Sequence, residues 1–149
     1  MPQPAFAIYS LCTIVLCLNM LGLWGYSGAV RSKTKTTHNP EDLEAFDKAA
    51  AGKVVTADPP EVARVLRAHT NAVVNILPFL LLGLLYVLNG ASARAAWVIF
   101  GGFTLARLCH TFVYLRGKQP WRTIFFIIGG LFTLGLMVQV ARGSIAHLM

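Results

Sequence analysis

The sequence predicts an all-α membrane protein, folded as a four-transmembrane-helix bundle of up-down topology. Of the 149 residues, 56% are hydrophobic and only 13% are charged, which is too apolar for an ordinary soluble domain of this size. Four stretches of about 20 residues carry almost no charge, as a helix that crosses a bilayer requires. The links between the later stretches are short, and short links join antiparallel neighbours. Residues 1–149 are therefore predicted to form a single membrane domain.

The first predicted helix runs from about Ala5 to Val30. Its opening sequence, MPQPAFAIYS, contains no Lys or Arg, and its apolar run is longer than the core of a secretory signal, so we expect a retained helix. A polar loop at about 31–61 follows, and it is too small to have a core of its own. Within it, NPED at 39–42 predicts a turn that leads into a short helix, and PPE at 59–61 predicts the entry to the second helix.

The three remaining helices are predicted at about 62–88, 95–115 and 122–141. A tight turn at Asn89–Ser92 joins the second helix to the third, and a short link at Arg116–Pro120 joins the third to the fourth. Consecutive helices are thus expected to run in opposite directions through the membrane.

The formal net charge of +7 is placed asymmetrically, which indicates membrane orientation rather than nucleic-acid binding. Only Arg94 and Arg142 fall on the side of the second connection. By the positive-inside rule, both termini face outward and the two basic connections face the cytoplasm. A bacterial inner membrane and an endoplasmic reticulum membrane both fit this asymmetry, and the short chain without a retention tail favours the bacterial one. The other side holds Arg31, Lys33, Lys35, Lys48, Lys53, Arg64, Arg67, Arg107, Arg116, Lys118 and Arg122.

The cysteines and histidines do not form a pattern typical of a metal site. Cys12, Cys17 and Cys109 lie inside predicted helices without CxxC spacing, which indicates small packing residues. His69 and His110 have no partners at metal-ligand spacing. No metal is therefore predicted.

Polar residues form one group on each of three predicted helices, all toward the side of the first and third connections. The spacing places the groups on the second and third helices along one helical face each, and the third group lies near the start of the fourth helix. Two interpretations remain open from the residues alone: the arginines bind an anionic ligand through its carboxylates, or they reach only lipid headgroups. The two stripes consist of Arg64, Arg67, Asn71, Asn75 and Pro78 and of Arg107, His110, Thr111 and Tyr114; the third group is Pro120, Trp121, Arg122 and Thr123.

Three segments in this order resemble one family. They are NPED in the loop, RVLRAHTNAVVNILPFLLLGLLYVL in the second helix, and ARLCHTFVYLRGKQPWR across the third helix and the link after it. Together they resemble the MAPEG family, the membrane-associated proteins in eicosanoid and glutathione metabolism. The resemblance covers most of the chain from Val30 onward and implies a homotrimer that binds glutathione between adjacent subunits near the cytoplasmic side.

The resemblance also implies roles for individual residues. Arg122 is the candidate to stabilise the thiolate, Thr123 stands where relatives have a Ser beside that arginine, and Asp42 matches an acidic residue proposed to assist catalysis. A hydrophobic small molecule that enters from the bilayer is the implied second substrate. The residues implied to contact glutathione are Arg31, Arg67, Asn71, Arg107, His110, Tyr114 and Arg122.

One position departs from the family pattern. Val74 stands where active relatives usually carry a Glu that holds the ammonium group of glutathione, and Ala72 replaces an Asp of some members. Loss of such a charge-assisted contact costs about 1.5–3 kcal/mol. Three hypotheses follow: a glutathione transferase or peroxidase, a non-catalytic lipid-binding protein with weakened or lost glutathione binding, and a structural membrane subunit whose arginines meet only headgroups.

Overall fold

The computed structural model describes residues 4–42, 53–146 and 148 of the chain. Four long helices dominate it, and each is long and apolar enough to cross a membrane. The prediction of an all-α, four-helix membrane protein is therefore confirmed. The helices are α1 at Pro4–Thr34, α2 at Pro60–Leu88, α3 at Ala93–Leu115 and α4 at Trp121–Ala146.

Helix α2 is the centre of the bundle, because it packs against each of the other three helices. Its buried face repeats at helical spacing and includes Ala72, Ile76 and Phe79, each of them fully buried. The Phe79 ring stacks on Phe103 of α3 with 3.5 Å between ring centroids, and Phe100 meets Phe79 edge-on. This aromatic cluster fixes α3 against α2 in the middle of the predicted span.

The outward faces of the helices are apolar, as a lipid environment requires. Leu18, Leu81 and Leu131 each expose about three-fifths or more of their surface in the single chain. Helix α3 contains a π-helical stretch at Trp97–Gly101, which the sequence did not predict. Directly after it, the Phe132 ring of α4 lies so close to Gly102 that a Cβ atom at Gly102 would overlap the ring.

The segment after α1 returns to α2 through a short parallel strand pair. Helix α1 continues past the predicted end at Val30, and the chain reverses at Lys35, whose φ of 52° lies in the left-handed region. Strand β1 at Thr36–Thr37 pairs with β2 at Lys53–Val54. Residues 40–42 are helical, in agreement with the turn predicted at NPED, and the continuation of that predicted helix lies outside the described residues.

The loop end of the bundle, as we call it, comprises the end of α1, the start of α2 and the link between α3 and α4. Gly117 in that link has a φ of 65°, and its backbone lies against the Arg64 guanidinium of α2. Glycine is needed there for both reasons, because a side chain would be strained and would displace Arg64. The peptide bond between Gln119 and Pro120 in the same link is cis.

Candidate functional site

Arg107 is the most unusual side chain of the structure, because it is a cation buried among membrane helices with only 1% of its surface exposed. Its Nη2 donates to Asn71 Oδ1 at 2.7 Å and, over a longer 3.3 Å, to the Asn71 backbone carbonyl. Among the described residues, Nε and Nη1 have no hydrogen-bond partner. Buried charges are normally paired, so two guanidinium nitrogens without a partner among the described residues are unusual in the interior of the bundle.

Neighbouring residues fix the geometry of this pair. Asn75 donates through Nδ2 to the Asn71 backbone carbonyl at 2.8 Å, so the carbonyl that Arg107 contacts also accepts from Asn75. On the other side, Gly129 of α4 faces Arg107, and a Cβ atom at Gly129 would lie 3.4 Å from Arg107 Cδ. Helix α4 therefore packs directly against the aliphatic part of the arginine at Gly129.

A second group is built from the end of α3 and the start of α4. The Arg122 Cζ atom lies 5.0 Å from the centroid of the Tyr114 ring, in cation–π contact. The Tyr114 ring in turn meets His110 edge-on, with centroids 5.5 Å apart, and His110 is only 3% exposed. His110 and Tyr114 lie one helical turn apart on α3, and the Tyr114 ring lies between His110 and the Arg122 guanidinium.

The link between α3 and α4 orients Arg122 further. With its amide oxygen turned toward Arg122, Gln119 accepts from Arg122 Nη2 at 2.7 Å and from Nε at 3.2 Å. In the same orientation its amide nitrogen donates to Thr123 Oγ1 at 3.1 Å. Arg122 and Thr123 are thus held by one side chain that the sequence had not indicated, while Arg122 Nη1 is not used in this contact.

Arg31 and Asp42 lie in separate polar networks of the loop. Arg31 Nη2 forms an ion pair with Asp58 Oδ1 at 2.8 Å. Asp42 Oδ2 accepts from Thr37 Oγ1 at 3.0 Å and from Asn39 Nδ2 at 3.1 Å. Asp42 therefore organises the turn at NPED, and among the described residues it makes no hydrogen bond to Arg122; its predicted catalytic role stays a prediction.

A sequence model of the MAPEG family matches residues 9–142. The chain belongs to the MAPEG family. It is 37% identical over 142 residues to microsomal glutathione S-transferase 1 of Homo sapiens, with 95% of this chain and 90% of that protein covered. It is 32% identical over 149 residues to prostaglandin E synthase of Homo sapiens, with 99% and 95% covered. The microsomal glutathione S-transferase 1 of Rattus norvegicus is 36% identical over 140 residues, with 93% and 90% covered.

Two residues that bear on the MAPEG resemblance stand apart from both groups. Arg67 is exposed, and Val74 exposes 63% of its surface, on the face of α2 that points away from the core of this chain. Asn71 lies between them in sequence and is partly buried. The α2 stripe therefore connects the buried Arg107 pair with an open surface of the MAPEG chain.

The structure thus brings only some of the predicted site residues together. Asn71 and Arg107 form one pair, and His110, Tyr114 and Arg122 form a second group, with Thr123 beside Arg122. Arg31 and Asp42 lie in separate loop networks, and Arg67 is exposed. Sequence reasoning missed the contacts made by Gln119, Gly129 and Asp58. Of these, Asp58 gave a usable signal as one of six acidic residues, all confined to 41–61, and the pair Gly129–Gly130 gave one as small residues that permit close helix packing.

Proposed function

We propose that this membrane protein is a glutathione-dependent transferase or peroxidase that acts on hydrophobic electrophiles or lipid peroxides. The observation that carries the proposal is the stacking of Arg122 over Tyr114, because it presents an oriented guanidinium at the loop end of the bundle. The resemblance of the chain to glutathione S-transferases supports the choice of co-substrate.

The residues present fit the anionic part of glutathione. Arg67, Arg107 and Arg122 supply cations, and no Asp or Glu follows Glu61 in the sequence to neutralise them. Arg107 would add its positive charge from inside the bundle, where its guanidinium is enclosed. The fit is poorer at the ammonium group, because Val74 offers no charge.

The chemistry follows from the residue types. Glutathione supplies a thiol. In the transferase reaction, its deprotonated sulfur forms a bond to an electrophilic carbon as the leaving group departs. In the peroxidase reaction, two glutathione molecules are oxidised to the disulfide as a hydroperoxide is reduced to alcohol and water. A cation beside a thiol favours its thiolate form. Arg122 would provide that cation, Tyr114 and Gln119 hold its orientation, and Thr123 would add a hydroxyl donor.

We further propose a homotrimer in which a neighbouring chain covers the exposed stripe of α2. In a single chain the exposed α2 stripe, with Arg67 and Val74, has no protein cover, and an arginine that faces lipid is costly. Contact with another copy would enclose the stripe and create a cleft that is polar at the loop end and apolar toward the bilayer. A hydrophobic substrate could then reach the thiolate from the lipid.

The proposed function is tested by replacing Arg122, with Arg116 as the matched control. Arg116 is a second arginine at the same end, with Cζ 4.2 Å from the Phe112 ring centroid, and it lies outside the proposed site. We expect Arg122→Ala to lower kcat/KM for chlorodinitrobenzene conjugation at least about 10-fold, the equivalent of about 1.4 kcal/mol. Arg116→Ala should retain the wild-type value. Equal losses in both variants, or wild-type enzyme without glutathione-dependent turnover, would reject the proposal.

Val74 favours a second candidate function, a lipid-binding protein that has lost effective glutathione binding. Its apolar side chain extends the apolar part of the exposed α2 surface to the position where a carboxylate would hold the ammonium group. The variant Val74→Glu separates the two functions. If the rest of the pocket is competent, calorimetry should show glutathione binding that is about 10- to 150-fold tighter than in the wild type. Absence of binding in both proteins would favour the lipid-binding function.

A further inference from the structure

The end of the bundle opposite the loop end carries a groove that the proposed glutathione chemistry does not use. We call this the turn end; it comprises the turn at 89–92, the start of α3 and the last turns of α4. Two cavities of about 410 Å³ and 380 Å³ form the groove, and Ser92 and Gln139 line both of them. Each cavity is within the range of about 300–1,000 Å³ that small-molecule sites occupy.

The groove changes from polar to apolar along its length. The larger cavity lies between the turn and the end of α4, where Asn89 and Arg142 line it. The smaller cavity is lined by Arg94 and continues along Val98 and Ile99 of α3. Val98 exposes 61% of its surface, so this part of the groove opens on the apolar outside of the bundle. A molecule with a charged head and a hydrocarbon tail fits such a change in polarity.

The polar part of the groove is built by close contacts in the turn. Gly90 has a φ of 85°, which lies in the left-handed region that glycine adopts without strain. A Cβ atom at Gly143 would lie 3.1 Å from Asn89 Nδ2, so α4 packs directly against the Asn89 side chain there. Ser92 Oγ accepts from Ala95 N at 3.3 Å, which leaves the hydroxyl hydrogen of Ser92 available to a ligand.

The groove is positively charged. Arg94 and Arg142 are both exposed, and neither forms an ion pair with another of the described residues. The six acidic residues of the chain all lie at 41–61 in the sequence, before α2 or in its first turn, whereas the groove starts where α2 ends. Arginines at a bilayer surface attract anionic headgroups, and a guanidinium can bind two phosphate oxygens with parallel N–H donors.

We propose that the groove at the turn end binds an anionic glycerophospholipid of the surrounding bilayer through its phosphate group. Arg94 and Arg142 supply the positive charge, and Ser92 and Gln139 supply neutral donors. One acyl chain lies along Val98. A water-soluble phosphate compound shares the headgroup chemistry but leaves the apolar cavity unfilled, and for this reason the lipid is the favoured ligand. The proposal is independent of glutathione binding, because the groove and Arg122 lie at opposite ends of the bundle.

The fluorescence of Trp97 can report on the groove, because Trp97 directly precedes Val98 on α3. The chain has three tryptophans, so the full-length protein with Trp24→Phe and Trp121→Phe keeps Trp97 alone and serves as the reference protein. In phosphatidylcholine vesicles, quenching by phosphatidylglycerol with brominated acyl chains gives its binding constant relative to equally brominated phosphatidylcholine. We expect a preference of about 25-fold for phosphatidylglycerol, because each of two arginines contributes about 5-fold.

Charge variants of the reference protein assign this preference to the groove. Arg94→Gln and Arg142→Gln should each reduce it to about 5-fold, whereas Arg142→Lys keeps the charge and should retain most of it. Arg116→Gln is the matched control, because it removes the same charge from an exposed arginine at the loop end and should follow the reference protein. Quenching by brominated phosphatidylcholine should be the same in all variants, which verifies that they are folded alike.

Inorganic phosphate distinguishes the two sources of the same chemistry. At millimolar concentration, with the ionic strength held constant by chloride, it should leave quenching by brominated phosphatidylglycerol unchanged. Displacement of the lipid by inorganic phosphate would show a site for a water-soluble phosphate and would overturn the proposal. Equal binding constants for the two lipids, or the same loss in Arg142→Gln and Arg116→Gln, would overturn it as well.

Discussion

Removing the Asn71 side-chain amide should destabilise the protein through Arg107. In Asn71→Ala, the buried guanidinium loses its 2.7 Å contact to Oδ1 and keeps only the 3.3 Å contact to the backbone carbonyl. Arg107 is 1% exposed, so water cannot replace the lost acceptor without opening the bundle. The loss in free energy of unfolding should therefore equal that of a charge-assisted hydrogen bond and exceed that of a surface ion pair.

We expect Asn71→Ala to lower the free energy of unfolding by about 1.5–3 kcal/mol. Asn75→Ala is the matched control, because it removes a neutral hydrogen bond to the same Asn71 carbonyl and should cost only about 0.5–1.5 kcal/mol. The assay is unfolding by sodium dodecyl sulfate in mixed micelles, followed by far-ultraviolet circular dichroism at fixed protein concentration. Asn71→Asp, which keeps the acceptor, should retain most of the wild-type stability.

A double-mutant cycle isolates the pair itself. Combining Asn71→Ala with Arg107→Met removes the buried charge together with its acceptor, so the two changes should cost at least about 1 kcal/mol less than the sum of the single effects. Additive losses would mean that Asn71 does not hold Arg107, and the described site would lose its buried anchor.

Two further predictions concern packing and the orientation of the thiolate cation. Gly102→Ala should destabilise the bundle by about 1–3 kcal/mol in the same unfolding assay, because its Cβ atom would overlap the Phe132 ring. The control Gly135→Ala has open space at that position and should be neutral or stabilising by up to about 1 kcal/mol. Equal effects at both sites would contradict this prediction. Tyr114→Leu should weaken glutathione-dependent turnover, because it removes the ring under Arg122. Tyr114→Phe keeps the ring and should retain most of the turnover. If Tyr114→Phe is as slow as Tyr114→Leu, turnover depends on the hydroxyl and not on the ring face.

Hydropathy and helical spacing were sufficient to predict the four helices, because a membrane span must be long, apolar and internally hydrogen-bonded. The ends were less predictable. Helix α1 continues to Thr34 and α4 to Ala146, beyond the predicted ends at Val30 and Ala141. The π-helical stretch at Trp97–Gly101 and the strand pair depend on contacts with other parts of the chain, which local patterns do not record.

The candidate site was predictable in its residue types and less so in its internal pairing. Spacing placed Arg107, His110 and Tyr114 on one face of α3, and the structure agrees. The partners of Arg107 and Arg31 could not be predicted, because Asn71 and Asp58 lie far from them in sequence and meet them only after the helices pack. The third hypothesis, in which the arginines meet only headgroups, does not describe Arg107, whose guanidinium is enclosed by the bundle.

The central claim is that cations at the loop end bind glutathione, and calorimetric titration of glutathione into the detergent-solubilised protein tests it most directly. We predict saturable binding to the wild type and binding at least about 10-fold weaker, or about 1.4 kcal/mol, in Arg122→Ala. No saturable heat with the wild type, or equal affinity in the two proteins, would contradict the claim.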